Sequence, residues 1–311
     1  MNKLFISSVL AIVMTMVLGF SVLYLFFLEP KELPAVSSAA VATVDQVEKS
    51  DQSYLPPSID DVPAGEEGEL IKLGQKEHNE TNKVLDGYVG NNLSCASCHA
   101  NGGVGSSLDL VGISKTYPQY NPRAGKEVKI EDRINGCFKR SMNGKPLPLD
   151  SKEMKAMVAY YTYISKNVPD GTKERPWAKM PKAEGDLAKV NANAGREIYN
   201  KACITCHGEG GEGGATGIPL WGDKSYNIGA GMARVRTAGA FIRDYMPKAS
   251  MGGYEPGALT DEDAMNIAAY INSMDRPDFP DKIYDWPKGD APDDAAYETL
   301  AGKKETGKSK Q

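Results

Sequence analysis

Cys95-Ala96-Ser97-Cys98-His99 and, 108 positions further on, Cys203-Ile204-Thr205-Cys206-His207 are two copies of one pentapeptide pattern. Two thiols three residues apart can each add to a vinyl group of one haem, and the histidine that follows falls under the porphyrin, where its imidazole binds iron. The pattern predicts two covalently bound haem c groups, attached through Cys95, Cys98, Cys203 and Cys206, with His99 and His207 as iron ligands. A redox dithiol or half a zinc site is the plainer reading of a single copy. Here the two motifs use four of five cysteines and two of three histidines. A zinc site assembled from both motifs is the remaining rival, and the internal repeat argues against it.

The two halves of the chain keep step beyond the motifs. Tyr160, in Met157-Val158-Ala159-Tyr160, and Tyr270, in Ile267-Ala268-Ala269-Tyr270, are 110 positions apart. Asp150 with Glu153, and Thr260 with Asp263, each place a carboxylate three residues after a capping residue, a helix-start signal. Met154, Met157, Val158, Tyr161 and Ile164 then share one helical face, as do Ala264 or Met265 with Ala268, Ile271 and Met274. Helical stretches also precede each motif, near Glu69 to Leu85 and Ala194 to Tyr199. No strand-period pattern competes. The expected fold is all-α, two tandem class I cytochrome c-like haem domains behind an N-terminal transmembrane helix.

That helix is read from Leu4 to Leu28, a run without charge, preceded by Lys3 and followed by Glu29, Lys31 and Glu32. It is longer than the apolar region of a cleaved signal and long enough to span a bilayer. Cleavage after Ala40-Val41-Ala42 is the alternative. By the positive-inside rule the body then faces outward, on the periplasmic or extracytoplasmic side of a bacterial membrane. The expected divisions are residues 1–30 as signal anchor, 31–65 as linker, 66–168 as the first (catalytic) haem domain, 169–189 as interdomain linker, 190–276 as the second (electron-transfer) haem domain, and 277–311 as a polar tail held by Tyr284, Trp286 and Tyr297. With net charge −5 over 311 residues, the chain is not a general nucleic-acid binder.

The ligands opposite His99 and His207 follow from register. Met246 lies 39 residues after His207 and precedes Pro247, while Cys137, the cysteine left over, lies 38 after His99. A thioether favours ferrous haem and raises its potential; a thiolate does the reverse. Met142 and Met251 form a second pair in register, 43 and 44 residues after the two histidines, and stay open as alternatives. His78, in a polar stretch, reads as a surface residue. Arg123, Lys126, Lys129, Arg133, Lys139, Arg140 and Lys145 against Glu127, Glu131 and Asp132 give a local surplus of +4. Guanidinium forks and hydroxyls suit an oxyanion, so a small anion is expected beside Cys137, with Arg133, Arg140, Ser141 and Lys145 around it.

The string Arg133-Ile134-Asn135-Gly136-Cys137-Phe138-Lys139-Arg140-Ser141-Met142-Asn143-Gly144-Lys145-Pro146-Leu147-Pro148 resembles the signature of dihaem thiosulfate dehydrogenases, which also act as tetrathionate reductases. The resemblance extends through Phe241 to Pro247 and Ile271 to Pro277. It implies His99 and Cys137 on the catalytic haem iron, His207 and Met246 on the electron-transfer haem, and interconversion of two thiosulfates with tetrathionate and two electrons. Cys137 would serve as ligand and nucleophile. An electron-carrier cytochrome or a membrane oxidase is the implied electron partner. A non-enzymatic membrane-anchored dihaem cytochrome, such as a terminal-oxidase subunit, is the competing reading and would use Met142 at haem 1; a sulfur-oxidation carrier is a third.

Overall fold

In the computed structural model, which describes residues 54–303 apart from Ser106 and Lys179, the sequence periodicity becomes six helices of ten or more residues. They are α1 (Glu66–Asn79), α2 (Ile130–Lys139), α3 (Lys152–Ile164), α4 (Ala192–Ala202), α5 (Val235–Tyr245) and α6 (Asp261–Asn272). Their starts have local causes. Thr260 Oγ1 accepts from the Asp263 amide, as the sequence leads one to expect, whereas α3 is capped by Ser151, one residue later than Asp150, through the Met154 amide. α1 opens with Glu66, Glu67 and Glu69 at the positive end of its dipole.

Each half is framed by its first and last helix crossing at a glycine. A Cβ on Gly74 of α1 would lie 2.0 Å from the Ala156 carbonyl of α3, and one on Gly195 of α4 would lie 1.9 Å from the Asn266 carbonyl of α6. Only a missing side chain permits backbones this close. Around the first crossing, Ile71, Phe138, Met142, Leu147, Met154 and Met157 form a core. Around the second, Ile198, Tyr199, Ile267, Ala268 and Ile271 do the same. The expected inner faces of α3 and α6 are buried, with Val158 and Met274 half-buried.

Two departures correct the expected fold class. A two-stranded antiparallel hairpin, β1 (Gln119–Asn121) with β2 (Lys126–Val128), precedes α2, with Tyr120 opposite Glu127. Strands of three residues are too short to leave a readable alternation. Secondly, no helix among the described residues is long and apolar enough to cross a membrane. The fold is therefore mostly helical with two cytochrome c domains, and the N-terminal membrane helix and the anchoring built on it are withdrawn; the stretch 4–28 itself lies outside the described residues.

The second half grips the helix that carries Cys137. Asn227, buried, donates its amide to the Arg140 carbonyl (3.2 Å) and its Nδ2 to the Lys139 carbonyl (2.8 Å), occupying acceptors that the end of α2 leaves free. Residues after 276 return over both halves. Asp285 accepts two hydrogen bonds from Arg140 (2.7 and 2.9 Å), and Trp286 lies under the Arg123 guanidinium at 4.7 Å. Trp286 is buried and Tyr297 bonds Asp285, while Tyr284, expected to help hold this segment, is exposed.

Candidate functional site

Both motif histidines are oriented by one device. His99 Nδ1 donates to the Leu108 carbonyl at 2.6 Å, and His207 Nδ1 donates to the Ile218 carbonyl at 2.9 Å. A carbonyl only accepts, so the proton sits on Nδ1 and Nε2 keeps its lone pair for a metal. Burial pushes the His99 imidazole down to about 4 and lowers His207 as well, which keeps both neutral. None of the five cysteines is in a disulfide. Cys95, Cys98 and His99 open together on a cavity of about 340 Å³ that also takes in Cys137, Phe138, Ser141, Met142 and Arg133. Thiols, a ligand-ready imidazole and a mostly apolar wall fit a covalently bound haem.

Cys137 and Arg133 sit one helical turn apart on α2, so they share a face. Arg133 Nη1 donates to Cys137 Sγ at 2.8 Å, and the sulfur holds the guanidinium well above its ordinary range. Ser141 lines the same cavity. Arg140 and Lys145 do not. α2 ends at Lys139, and Arg140 turns to Asp285, to the Gly229 carbonyl (3.1 Å) and over the Phe279 ring (4.3 Å). Lys145 is exposed beyond the turn, its amide bonded to the Tyr88 carbonyl.

Among the polar cavity residues, Tyr117, Gln119, Asp109 and Arg175 escape the sequence reading, whereas Tyr161 stands on the inner face expected for α3. Arg175 falls in the expected interdomain linker, where Trp177 nearby was the available signal that the segment packs. His78, expected on the surface, is fully buried. Its Nε2 donates to the His99 carbonyl (2.8 Å) and its Nδ1 accepts from the Tyr161 hydroxyl (3.0 Å). It thus braces the peptide that carries the motif histidine His99.

At the second motif, Met246 follows the end of α5 and, like Cys203, Ile204 and Trp221, packs against the buried cluster of Ile198, Tyr199, Ile267 and Ile271. Met251 pairs its backbone with Tyr254. The rings of Tyr199, Trp221 and Tyr270 meet at 5.3 to 5.8 Å around this site.

Fold and site together define a dihaem c-type cytochrome with two covalently bound haem c groups. A family model described as "SoxA/TsdA, cytochrome c domain" matches residues 88–169, and one described as "Cytochrome C oxidase, cbb3-type, subunit III" matches residues 190–271. The chain is 39% identical over 245 residues to a thiosulfate dehydrogenase of Psychrobacter arcticus, covering 76% of this chain and 73% of that one. It is 37% identical over 272 residues to one from Stutzerimonas stutzeri, covering 80% and 85%. A solved structure of thiosulfate dehydrogenase (TsdBA) from Marichromatium purpuratum superposes with TM-score 0.67 at 32% identity, covering 73% of this chain and half (50%) of that chain. The chain belongs to the thiosulfate dehydrogenase family.

Proposed function

We propose that the protein is a thiosulfate dehydrogenase that also runs in reverse as a tetrathionate reductase, joining two thiosulfates to tetrathionate with release of two electrons. The observation that carries this reading is the Arg133 guanidinium on the Cys137 sulfur, 2.8 Å apart at the wall of the first haem cavity. A charge-assisted donor stabilises an anionic sulfur, and an anionic sulfur is what a low-potential haem and a sulfur-transfer site both need.

His99 and Cys137 would hold the iron of the first haem, and His207 and Met246 that of the second. The haems supply one-electron acceptance and relay. The chain's own residues bind and orient: Arg133 offers its charge to a sulfonate, Ser141 its hydroxyl, and Phe138, Ile113 and Ile134 keep water from the wall. Electrons leave to a small carrier cytochrome or a membrane oxidase, and an extracytoplasmic location suits attached haem. A pure electron carrier is the second reading, because Met142 lines the same cavity, 2% exposed, and offers a thioether.

Thiosulfate-dependent reduction of an added acceptor by the holoprotein and its Cys137→Ser variant separates the two. Turnover lost in the variant supports the enzyme. A protein inactive with both anions, its haems attached and reducible, is an electron carrier.

A further inference from the structure

Tetrathionate bears a sulfonate at each end, and so does the pair of thiosulfates from which it forms. A site for it needs two cations, and two fixed positive charges raise local anion concentration as well as affinity. Of the seven basic residues between Tyr120 and Lys145, Arg133 alone lines the first cavity. Arg140 and Arg123 face Asp285, at 2.7 and 3.8 Å. Among the described residues the cavity has one other arginine in its wall, Arg175.

Arg175 is built into that wall. Its Nη1 donates to the Asp109 and Val111 carbonyls at 2.8 and 3.2 Å. Trp177 Nε1 donates to the same Val111 carbonyl at 3.3 Å, and its ring packs on Tyr54 with centroids 4.9 Å apart. These acceptors are uncharged. Neither Arg175 nor Arg133 has a carboxylate at salt-bridge distance among the described residues. Asp109 also lines the cavity and its charge acts on Arg175, but burial is the larger effect on its carboxyl and holds it above the usual range, and its Oδ1 accepts from the Val111 amide at 2.7 Å. Tyr117, in the same wall, feels both guanidinium charges.

We propose that Arg175, on the segment joining the two haem domains, is the second cation of the catalytic cavity and binds the sulfonate at the end of tetrathionate opposite Arg133. The inference rests on the thiosulfate and tetrathionate reading above. It makes the cavity a two-point clamp, with one arginine on α2 and one on the interdomain segment, so the substrate bridges parts of the chain that meet only in the folded protein.

The test is calorimetric titration of tetrathionate into the ferric holoprotein, where no electrons are available for turnover, for wild type, Arg175→Gln and Arg175→Lys, alongside KM and kcat. Losing one charged hydrogen-bonding partner predicts a roughly 10- to 100-fold weaker dissociation constant and a matching rise in KM for Arg175→Gln. Arg175→Lys keeps the charge and recovers most of the affinity, and kcat changes less than KM. The haem 1 absorption spectrum stays as in wild type. Affinity of Arg175→Gln within twofold of wild type overturns the proposal. Equal losses in both variants with an altered haem 1 spectrum also overturn it, because they mark Arg175 as a prop for the loop that orients His99. A wild-type protein that turns over neither anion removes the reading beneath it, whereas an active wild type with an indifferent Arg175 removes this inference alone.

Discussion

The hydrogen bonds of His78 fix its tautomer: Nε2 carries the proton given to the His99 carbonyl, and bare Nδ1 takes the Tyr161 hydroxyl. His78→Phe strips the part-buried His99 carbonyl of its donor, at about 1–3 kcal/mol, and leaves the buried Tyr161 hydroxyl only Cys95 as a partner. Urea denaturation of the holoprotein should show that loss, and a midpoint equal to wild type would disprove the brace. One residue earlier, Glu77 is 1% exposed with Oε2 unpartnered, and burial, with Glu153 adding to it and Lys152 opposing, pushes its carboxyl up from 4.5 to about 8. The folded state therefore keeps a proton that the unfolded state releases above 4.5. Stability falls as pH rises through the window from about 4.5 to about 8, then levels off. Glu77→Gln should remove that slope and stabilise the alkaline form by about 3–5 kcal/mol, read from denaturation midpoints at pH values either side of the window. On the proposed ligation of haem 1 by Cys137, Cys137→Met exchanges a thiolate for a thioether and should raise the haem 1 midpoint by on the order of 0.1 V or more, within the roughly 0.8 V that axial ligands span. A redox titration in which the haem 1 midpoint does not move between wild type and variant would argue that Met142 was the ligand throughout.

At the scale of elements, what the sequence makes legible is whatever has a local cause. The periodicity of α3 and α6 and the cap at Thr260 are set within a few residues, and they stand where the pattern puts them. The Arg133 and Cys137 pair is legible for the same reason, being spaced by one turn of α2. Arg140 is not, although seven residues from Arg133 would return it to the same face of a longer helix. α2 stops at Lys139, its end carbonyls taken by Asn227 from 88 positions away, and the guanidinium then meets Asp285, 145 positions away. Contacts at such separations leave no trace in a window of sequence, and His78 and Arg175 were hidden likewise. The glycine crossings are also long-range, and they can be tested. Gly74→Ala and Gly195→Ala each drive a Cβ against a carbonyl that cannot rotate away, at 2.0 and 1.9 Å. Overpacking of this kind costs about 1–3 kcal/mol or more, and the ~1 kcal/mol helix preference of alanine offsets only part of it. Thermal melts of both variants should fall below wild type, and an unchanged or raised Tm would mean the helices separate freely.

For the whole molecule, Asp285 concentrates the coupling between the halves. Its carboxylate, 7% exposed, takes Arg140 at 2.7 Å and faces Arg123 at 3.8 Å, and both arginines are themselves mostly covered. Burial lowers Arg123 to about 10, so the charge there is already costly and depends on its neighbours. Replacing a buried pair by apolar groups can be neutral, but removing one partner strands the other, at about 3–5 kcal/mol. Asp285→Asn strands two. Because the same arginines reach the Gly229 carbonyl of the second half, at 2.6 Å from Arg123 and 3.1 Å from Arg140, the damage falls on the association of the haem domains rather than on either core. Differential scanning calorimetry of the holoproteins should therefore show wild type melting in one transition and Asp285→Asn melting lower and in two. Substrate binding gives the opposite contrast, since neither Arg140 nor Asp285 lines the cavity and Arg133 does. Arg140→Gln should lose stability and keep its KM, while Arg133→Gln should lose turnover and keep its melting profile. A raised KM in Arg140→Gln with an intact melt would return that arginine to the substrate site.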